Sequence, residues 1–206
     1  MARRGRFIVL EGGEGCGKST QAALLAARLG AELTREPGGT PIGEQIRAIL
    51  LDRSLGHLDA RAELLLMGAA RAQHVAERIR PTLEAGRDVV CDRFSGSTLA
   101  YQGFGRGLAL GVVEAACALA ADGLDPDLTV LLEVPAPLAA SRRCGSPDRI
   151  EAEDDAFHAR VSAGFARLAA RDTEHWAVLD GTGTREEVHA RVVAAVAGRL
   201  GAGATS

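Results

Sequence analysis

Residues 12–19 read Gly-Gly-Glu-Gly-Cys-Gly-Lys-Ser, the spacing G-x-x-x-x-G-K-[ST], between a short apolar run and an amphipathic stretch. Few features restrict a chain more, because the pattern works only where a strand enters a glycine loop and the loop opens a helix. Phe7-Ile8-Val9-Leu10 reads as the buried strand, and Leu24, Leu25 and Leu29 fall at helical spacing over 19–29. Gly12, Gly15 and Gly17 let the backbone turn its N–H groups inward around phosphate oxygens, and Gly13, Glu14 and Cys16 complete the loop. The helix start at Lys18, Ser19 and Thr20 adds its partial positive charge, and the Ser19 hydroxyl can reach Mg²⁺. Lys18 is the only lysine beside 23 arginines, so the loop retains the compact ammonium that a planar guanidinium fork cannot replace. The loop thus reads as a nucleoside triphosphate site.

At 206 residues, the chain suits one domain, 1–206, with a sizeable core and a frayed tail over 201–206. Its net charge of −3 supplies no global field for nucleic acid, since 27 acids offset the basic residues. Cys16, Cys91, Cys117 and Cys144 are widely spaced without a C-x-x-C pair, which argues against a disulfide framework or a zinc site and for a reducing cytosol. The apolar run after the basic start ends at Glu11, too short for a signal sequence, and no later run approaches a membrane span.

Further apolar runs at 31–34, 88–92, 128–134 and 176–179 read as strands, with helical spacing over 43–51 and 60–83 between them. Pro81 is expected to kink or end the long helix. Strands separated by helices imply a central parallel sheet covered on both faces, with ligands at the strands' C-terminal ends.

Asp92-Arg93-Phe94 follows the Val89-Val90-Cys91 run directly. An acid there lies near the phosphate loop, as a Mg²⁺ partner with Ser19, and Arg93 beside it can clamp an anion in bidentate fashion; the alternative is a surface ion pair. Arg71 is the only formally charged residue between Glu63 and Glu77, on one helical face with Leu64 and Met67. Either it snorkels to solvent or it reaches into a pocket to donate hydrogen bonds to a ligand.

The ordered motifs Arg35-Glu-Pro-Gly-Gly-Thr40, Ala69-Ala-Arg-Ala-Gln-His74, Asp92-Arg-Phe94, Leu99-Ala-Tyr-Gln-Gly103 and Asp148-Arg-Ile-Glu151 resemble those of thymidylate kinases over roughly residues 6–185. The resemblance implies a P-loop NTPase-type α/β/α fold in three layers, with a lid at about 142–153, that transfers a phosphoryl group from ATP to dTMP. It implies ATP phosphates on Gly12 to Thr20, with Lys18 bridging the donor and transferring groups. Arg47 and Arg93 would hold the dTMP phosphate, Glu14 would face the sugar, and Pro37 would pack near the base. Arg71, Thr98 and Gln102 would read the thymine edge, and Tyr101 would fill the space beneath the 2′ carbon. A cytosolic homodimer is implied, for which the alanine-rich stretches 60–76 and 109–121 are candidate faces.

The phosphate loop contains no arginine, so the chain resembles the members whose lid arginines, here Arg142, Arg143 and Arg149, supply charge to the transition state. Acids at 148, 151 and 153–155 could instead pair with them in a solvated loop. Cys144 stands where related lids often carry an arginine, which leaves open whether Arg142 or Arg143 reaches the phosphates. Met67 and Gly68 stand where the family usually has an aromatic that stacks on thymine; the Met67 thioether can still lie against a base. The competing readings are a P-loop kinase of another monophosphate and a regulatory ATPase. A GTPase switch is excluded by the missing N/T-K-x-D motif, since the chain has no asparagine and its one lysine, Lys18, lies in the phosphate loop.

Overall fold

In the computed structural model, which describes residues 3–142 and 146–201, five parallel strands form one sheet in the order β2-β3-β1-β4-β5. They are β1 (Phe7–Glu11), β2 (Glu32–Arg35), β3 (Val89–Asp92), β4 (Leu128–Glu133) and β5 (Trp176–Asp180). The helices are α1 (Lys18–Leu29), α2 (Pro41–Leu51), α3 (Ala60–His74), α4 (Arg80–Glu84), α5 (Ser95–Thr98), α6 (Leu110–Ala121), α7 (Ala136–Ser141), α8 (Asp155–Arg171) and α9 (Arg185–Leu200). All five expected strands form, and the helices between them make the three-layer α/β/α arrangement.

The period of two in β1 explains the layers. Ile8 and Leu10 point to one face, where Leu25 of α1 and Val188, Val192 and Val196 of α9 cover them. Phe7 and Val9 point to the other, where Val75, Ile79, Leu83 and Phe94 pack on them. Both faces are closed, so β1 is buried along its whole length, at roughly 1.5–3 kcal/mol per large apolar side chain removed from water. Pairing sets Leu10 opposite Asp92 on β3 and Val130 on β4, which brings the chain ends after β1, β3 and β4 to one side of the sheet.

Pro81 neither ends nor breaks its helix. Between α3 and α4 the chain widens into a π turn over Val75–Ile79, in which the Arg80 N–H bonds the Val75 carbonyl, and Pro81 falls in the first turn of the resumed helix. A proline there has no intrahelical N–H to lose, so the helix runs on to Glu84. A second π segment, Leu99–Gly105, extends α5 and carries Tyr101 and Gln102. Gly105 lets α8 approach it closely, since a Cβ there would lie 2.6 Å from the Phe157 ring.

Candidate active site

The loop between β1 and α1 needs its glycines. Gly15 has φ +74°, and a Cβ on it would stand 2.2 Å from the Ala139 carbonyl oxygen, so no other residue fits. α1 starts at Lys18 without a side-chain cap on its first N–H groups, which leaves an anion to satisfy them. Lys18 is buried, with Nζ 3.2 Å from the Gly13 carbonyl and 3.7 Å from the Glu14 carboxylate. Ser19 donates to the Asp92 carboxylate across the sheet end, while Asp92 Oδ1 is buried without a hydrogen-bond partner among the described residues. A hydroxyl and an under-satisfied carboxylate oxygen are hard donors of the kind Mg²⁺ takes, so the pair fits that ion.

Two cavities meet at Glu14, Lys18 and Ser19. One, of 470 Å³, is walled by Gly15, Cys16 and Gly17 of the loop, by Thr20 and Gln21 of α1, by Arg142 and by Gly181, Gly183, Thr184 and Arg185 after β5. Arg142 donates there to the carbonyls of Gly181 at 3.1 Å and Gly183 at 3.4 Å. The other, of 190 Å³, brings together all nine residues expected around the acceptor: Glu14, Pro37, Arg47, Met67, Arg71, Arg93, Thr98, Tyr101 and Gln102.

Each is held by specific contacts. Arg71 does not snorkel: only 2% exposed, it donates to Glu36 at 2.8 Å, to Thr98 Oγ1 at 2.9 Å and to the Cys117 sulfur at 3.5 Å. Its guanidinium carbon lies 4.8 Å from the centre of the Phe94 ring. Arg93 has φ +73°, rare for a side-chain-bearing residue, and this turn folds its guanidinium back onto the loop. There it donates to the Gly12 carbonyl at 3.0 Å, Ser97 Oγ at 2.9 Å and Glu14. The pair is not a surface one, since Arg93 is deeply set and its partner across the cleft is Glu14, not Asp92. Burial pushes the Tyr101 hydroxyl above its ordinary pKa and Glu14 adds to the rise against Arg93, so it stays a neutral donor, 3.2 Å from Glu14. Arg47 donates to the Pro37 carbonyl at 3.0 Å. Burial, then the neighbouring Arg35, works against its charge, a strain that an anion would relieve.

Arg149 departs from its expected place. It lines neither cavity; Nε donates to the Leu50 carbonyl at 2.8 Å and Nη2 to Glu63 at 2.6 Å. The reason is Glu63, which is wholly buried and must be met by cations, here Arg106 and Arg149. Arg143 lies outside the described residues. Gly68, beside Met67, faces α6, where a Cβ would meet Ala120 at 3.8 Å, so only Met67 borders the cavity.

Sequence reasoning missed several contributors. Glu11, fully buried at the end of β1, accepts from the Phe94 and Ser97 N–H groups and so shapes the turn that carries Arg93. Burial raises its pKa against the pull of Arg93. Glu36 anchors Arg71, Phe94 lies under it, and the 181–185 turn walls the donor side. Local signals existed: Glu36 and Phe94 adjoin Pro37 and Arg93, and a Gly-Thr-Gly-Thr turn precedes α9.

Two cavities that meet at one lysine, one along the glycine loop and one lined by arginines, suit a P-loop kinase, in which one small molecule gives a phosphoryl group to another. The family profile described as thymidylate kinase matches residues 10–192. A thymidylate kinase of Deinococcus radiodurans is 47% identical over 203 residues, covering 95% of this chain and 98% of the relative. One from Synechococcus sp. is 50% identical over 201 residues, covering 92% and 94%. The crystal structure of thymidylate kinase from Ehrlichia chaffeensis superposes with a TM-score of 0.79 at 31% identity, covering 94% of this chain and 98% of that one. The chain belongs to the thymidylate kinase family: it is a phosphotransferase, and its reaction is the phosphorylation of dTMP.

Proposed function

We propose that dTMP sits in the 190 Å³ cavity, with its phosphate between Arg47 and Arg93 and its base against Arg71 and Gln102, while ATP lies along the glycine loop. The observation that carries this reading is the Gln102 side-chain oxygen, buried and unpartnered among the described residues, on a side chain that lines the same cavity as Arg71. An acceptor and a donor lining one cavity match the N3–H and a carbonyl of thymine, and Arg47 and Arg93 match a phosphate.

The chemistry is positioning and charge. Two anions approach in line only if cations surround the charge that spreads over the transferring group. Lys18 stands between the compartments, and Arg93, fixed by the Gly12 carbonyl and Ser97, holds the acceptor at a set distance from the loop. Tyr101 and Glu14 border the sugar, where the aromatic ring leaves little room for a 2′-hydroxyl. Mg²⁺ would be held by Ser19 and Asp92, and when bound it neutralises phosphate charge. Arg142, and Arg143 with it, would complete the charge from the lid, with Arg149 at the lid's foot. A regulatory ATPase would leave the acceptor cavity without a use.

A homodimer through α3 and α6 is supported by Leu65, Val112 and Leu119, which are 69%, 60% and 84% exposed on those helices. Among the described residues no helix is long and apolar enough to cross a membrane. Cys16, Cys91 and Cys117 are buried free thiols, which supports a reducing, cytoplasmic setting.

The test is coupled ADP release with Mg-ATP against a panel of deoxy and ribo monophosphates. dTMP should be turned over fastest, and Arg93→Ala should raise its KM strongly with the ATP KM little changed. An unchanged dTMP KM in that variant would remove Arg93 from the acceptor phosphate.

A further inference from the structure

Glu63 is a buried carboxylate that phosphoryl transfer does not use. It sits on α3 with no exposed surface. One oxygen accepts from Gln102 Nε2 at 2.8 Å and Arg106 Nε at 3.1 Å, and the other from Arg106 Nη2 at 3.0 Å and Arg149 Nη2 at 2.6 Å. Burial works against its charge, but these donors more than offset it and hold the carboxyl below its ordinary range, so it is ionised at neutral pH.

An ionised carboxylate only accepts hydrogen bonds. Gln102 must therefore turn its NH₂ toward Glu63, which leaves its carbonyl oxygen on the other side. That oxygen is buried and unpartnered among the described residues, on a side chain that lines the acceptor cavity. We infer that Glu63 is a positioning residue that sets base selectivity, fixing the Gln102 amide so that only a base with a hydrogen on N3 is matched. The inference rests on the acceptor reading above. Thymine carries that hydrogen; cytosine presents a lone pair at N3 and meets the Gln102 oxygen lone pair to lone pair. A buried polar group left facing the wrong partner is what rejects an analogue strongly.

The arginines make the inference testable. In Glu63→Gln, Arg106 and Arg149 can only donate, so they take the one remaining carbonyl oxygen. The new NH₂ then faces Gln102 and turns its amide over, aiming a donor at the base. The ratio of kcat/KM for dTMP over dCMP should fall about tenfold or more, while the KM for ATP stays within about threefold. Adding Gln102→Glu should restore the ratio to within about threefold of the original, because a carboxylate accepts from the new amide and presents an acceptor again.

Equal losses on dTMP and dCMP in Glu63→Gln, or a double variant no better than the single one, would reduce Glu63 to a packing role and overturn the inference. Gln102→Ala separates it from the underlying reading. If that variant keeps its dTMP:dCMP ratio, Gln102 does not read the base and the acceptor reading falls with it. If Gln102→Ala collapses the ratio and Glu63→Gln does not, the orientation inference alone fails. Should Glu63→Gln not fold, side-chain amide exchange in the unaltered enzyme decides: the Gln102 NH₂ should exchange slowly with D₂O with or without dTMP. Fast exchange that slows only on adding dTMP would mean the NH₂ faces the base.

Discussion

Arg71 stands in both the acceptor cavity and the core, and replacing it by leucine should expose the second role. The change leaves Glu36, 5% exposed, without its guanidinium partner at 2.8 Å, though His74 Nδ1 still lies 3.1 Å away. Stranding one member of a buried ion pair costs about 3–5 kcal/mol, because an uncompensated carboxylate stays out of water. Losing the Thr98 hydrogen bond adds about 1 kcal/mol, and losing the guanidinium from the Phe94 face about as much again, while the leucine's apolar burial offsets roughly 2 kcal/mol. The carboxylate decides the sum, so we expect a loss of about 3–5 kcal/mol. For a chain of this size, that lowers the melting temperature by roughly 6–20 °C.

Charge can be separated from shape. Arg71→Leu combined with Glu36→Gln should recover about 2 kcal/mol relative to the single variant, since an amide in that place is far less costly than a bare carboxylate. Arg71→Lys should keep most of the stability yet raise the dTMP KM, because an ammonium cannot reach Glu36, Thr98 and a ligand together as the planar fork does. Urea unfolding can follow the fluorescence of Trp176, the only tryptophan, at the start of β5. An Arg71→Leu cost under about 1 kcal/mol, or a double variant no more stable than the single one, would refute this account of the pair.

Met67→Phe should lower the dTMP KM several-fold and leave the ATP KM alone, since stacking on an aromatic is worth about 1–3 kcal/mol per base and Met67 borders the cavity; no change would mean another group, Phe94 foremost, already covers the ring. Amine-selective labelling should find Lys18 as the one protectable ε-amine, with labelling blocked by Mg-ATP and turnover lost when it proceeds; equal labelling with and without nucleotide would take Lys18 out of the phosphate site. Glu63 is held below its ordinary pKa, so its contribution to stability is complete above the unfolded value of about 4.3 and fades as pH falls through the folded value. Glu63→Gln should therefore be less stable at pH 7 but lose less on acidification below about pH 4.5, and an acid limb as steep as the original's would contradict the shift.

The parts legible in the sequence are those whose physics is local. The glycine loop and the five strands follow from spacing within a few positions, whereas the nine residues expected around the acceptor come from the resemblance to thymidylate kinases; the sheet gathers both because parallel strands send their C-terminal ends to one side. Long-range partners were not legible. Glu63 shares a helical face with Met67, Ala70 and His74, a visible sign that it points inward, yet its partners Gln102, Arg106 and Arg149 lie 39, 43 and 86 positions away. The resemblance therefore sets Arg149 at the phosphates, whereas a buried acid on α3 holds it away from both cavities.

Arg71 shows where such a reading can be carried further. Its apolar neighbours allowed two outcomes, snorkelling or entry into a pocket, and nothing within one helical turn decides between them. Charge does decide. An arginine that goes inward needs a buried acid, and an acid that goes inward needs a cation, so isolated opposite charges on apolar segments are candidates for each other. Glu36 stands between Arg35 and Pro37, 35 positions before Arg71, and the fold pairs it with Arg71. The fold also pairs Glu63 with Arg149, and Glu14 with Arg93 across the cleft. In each of these pairs the carboxylate fixes where a guanidinium points, so the acids set the geometry in which the arginines are held.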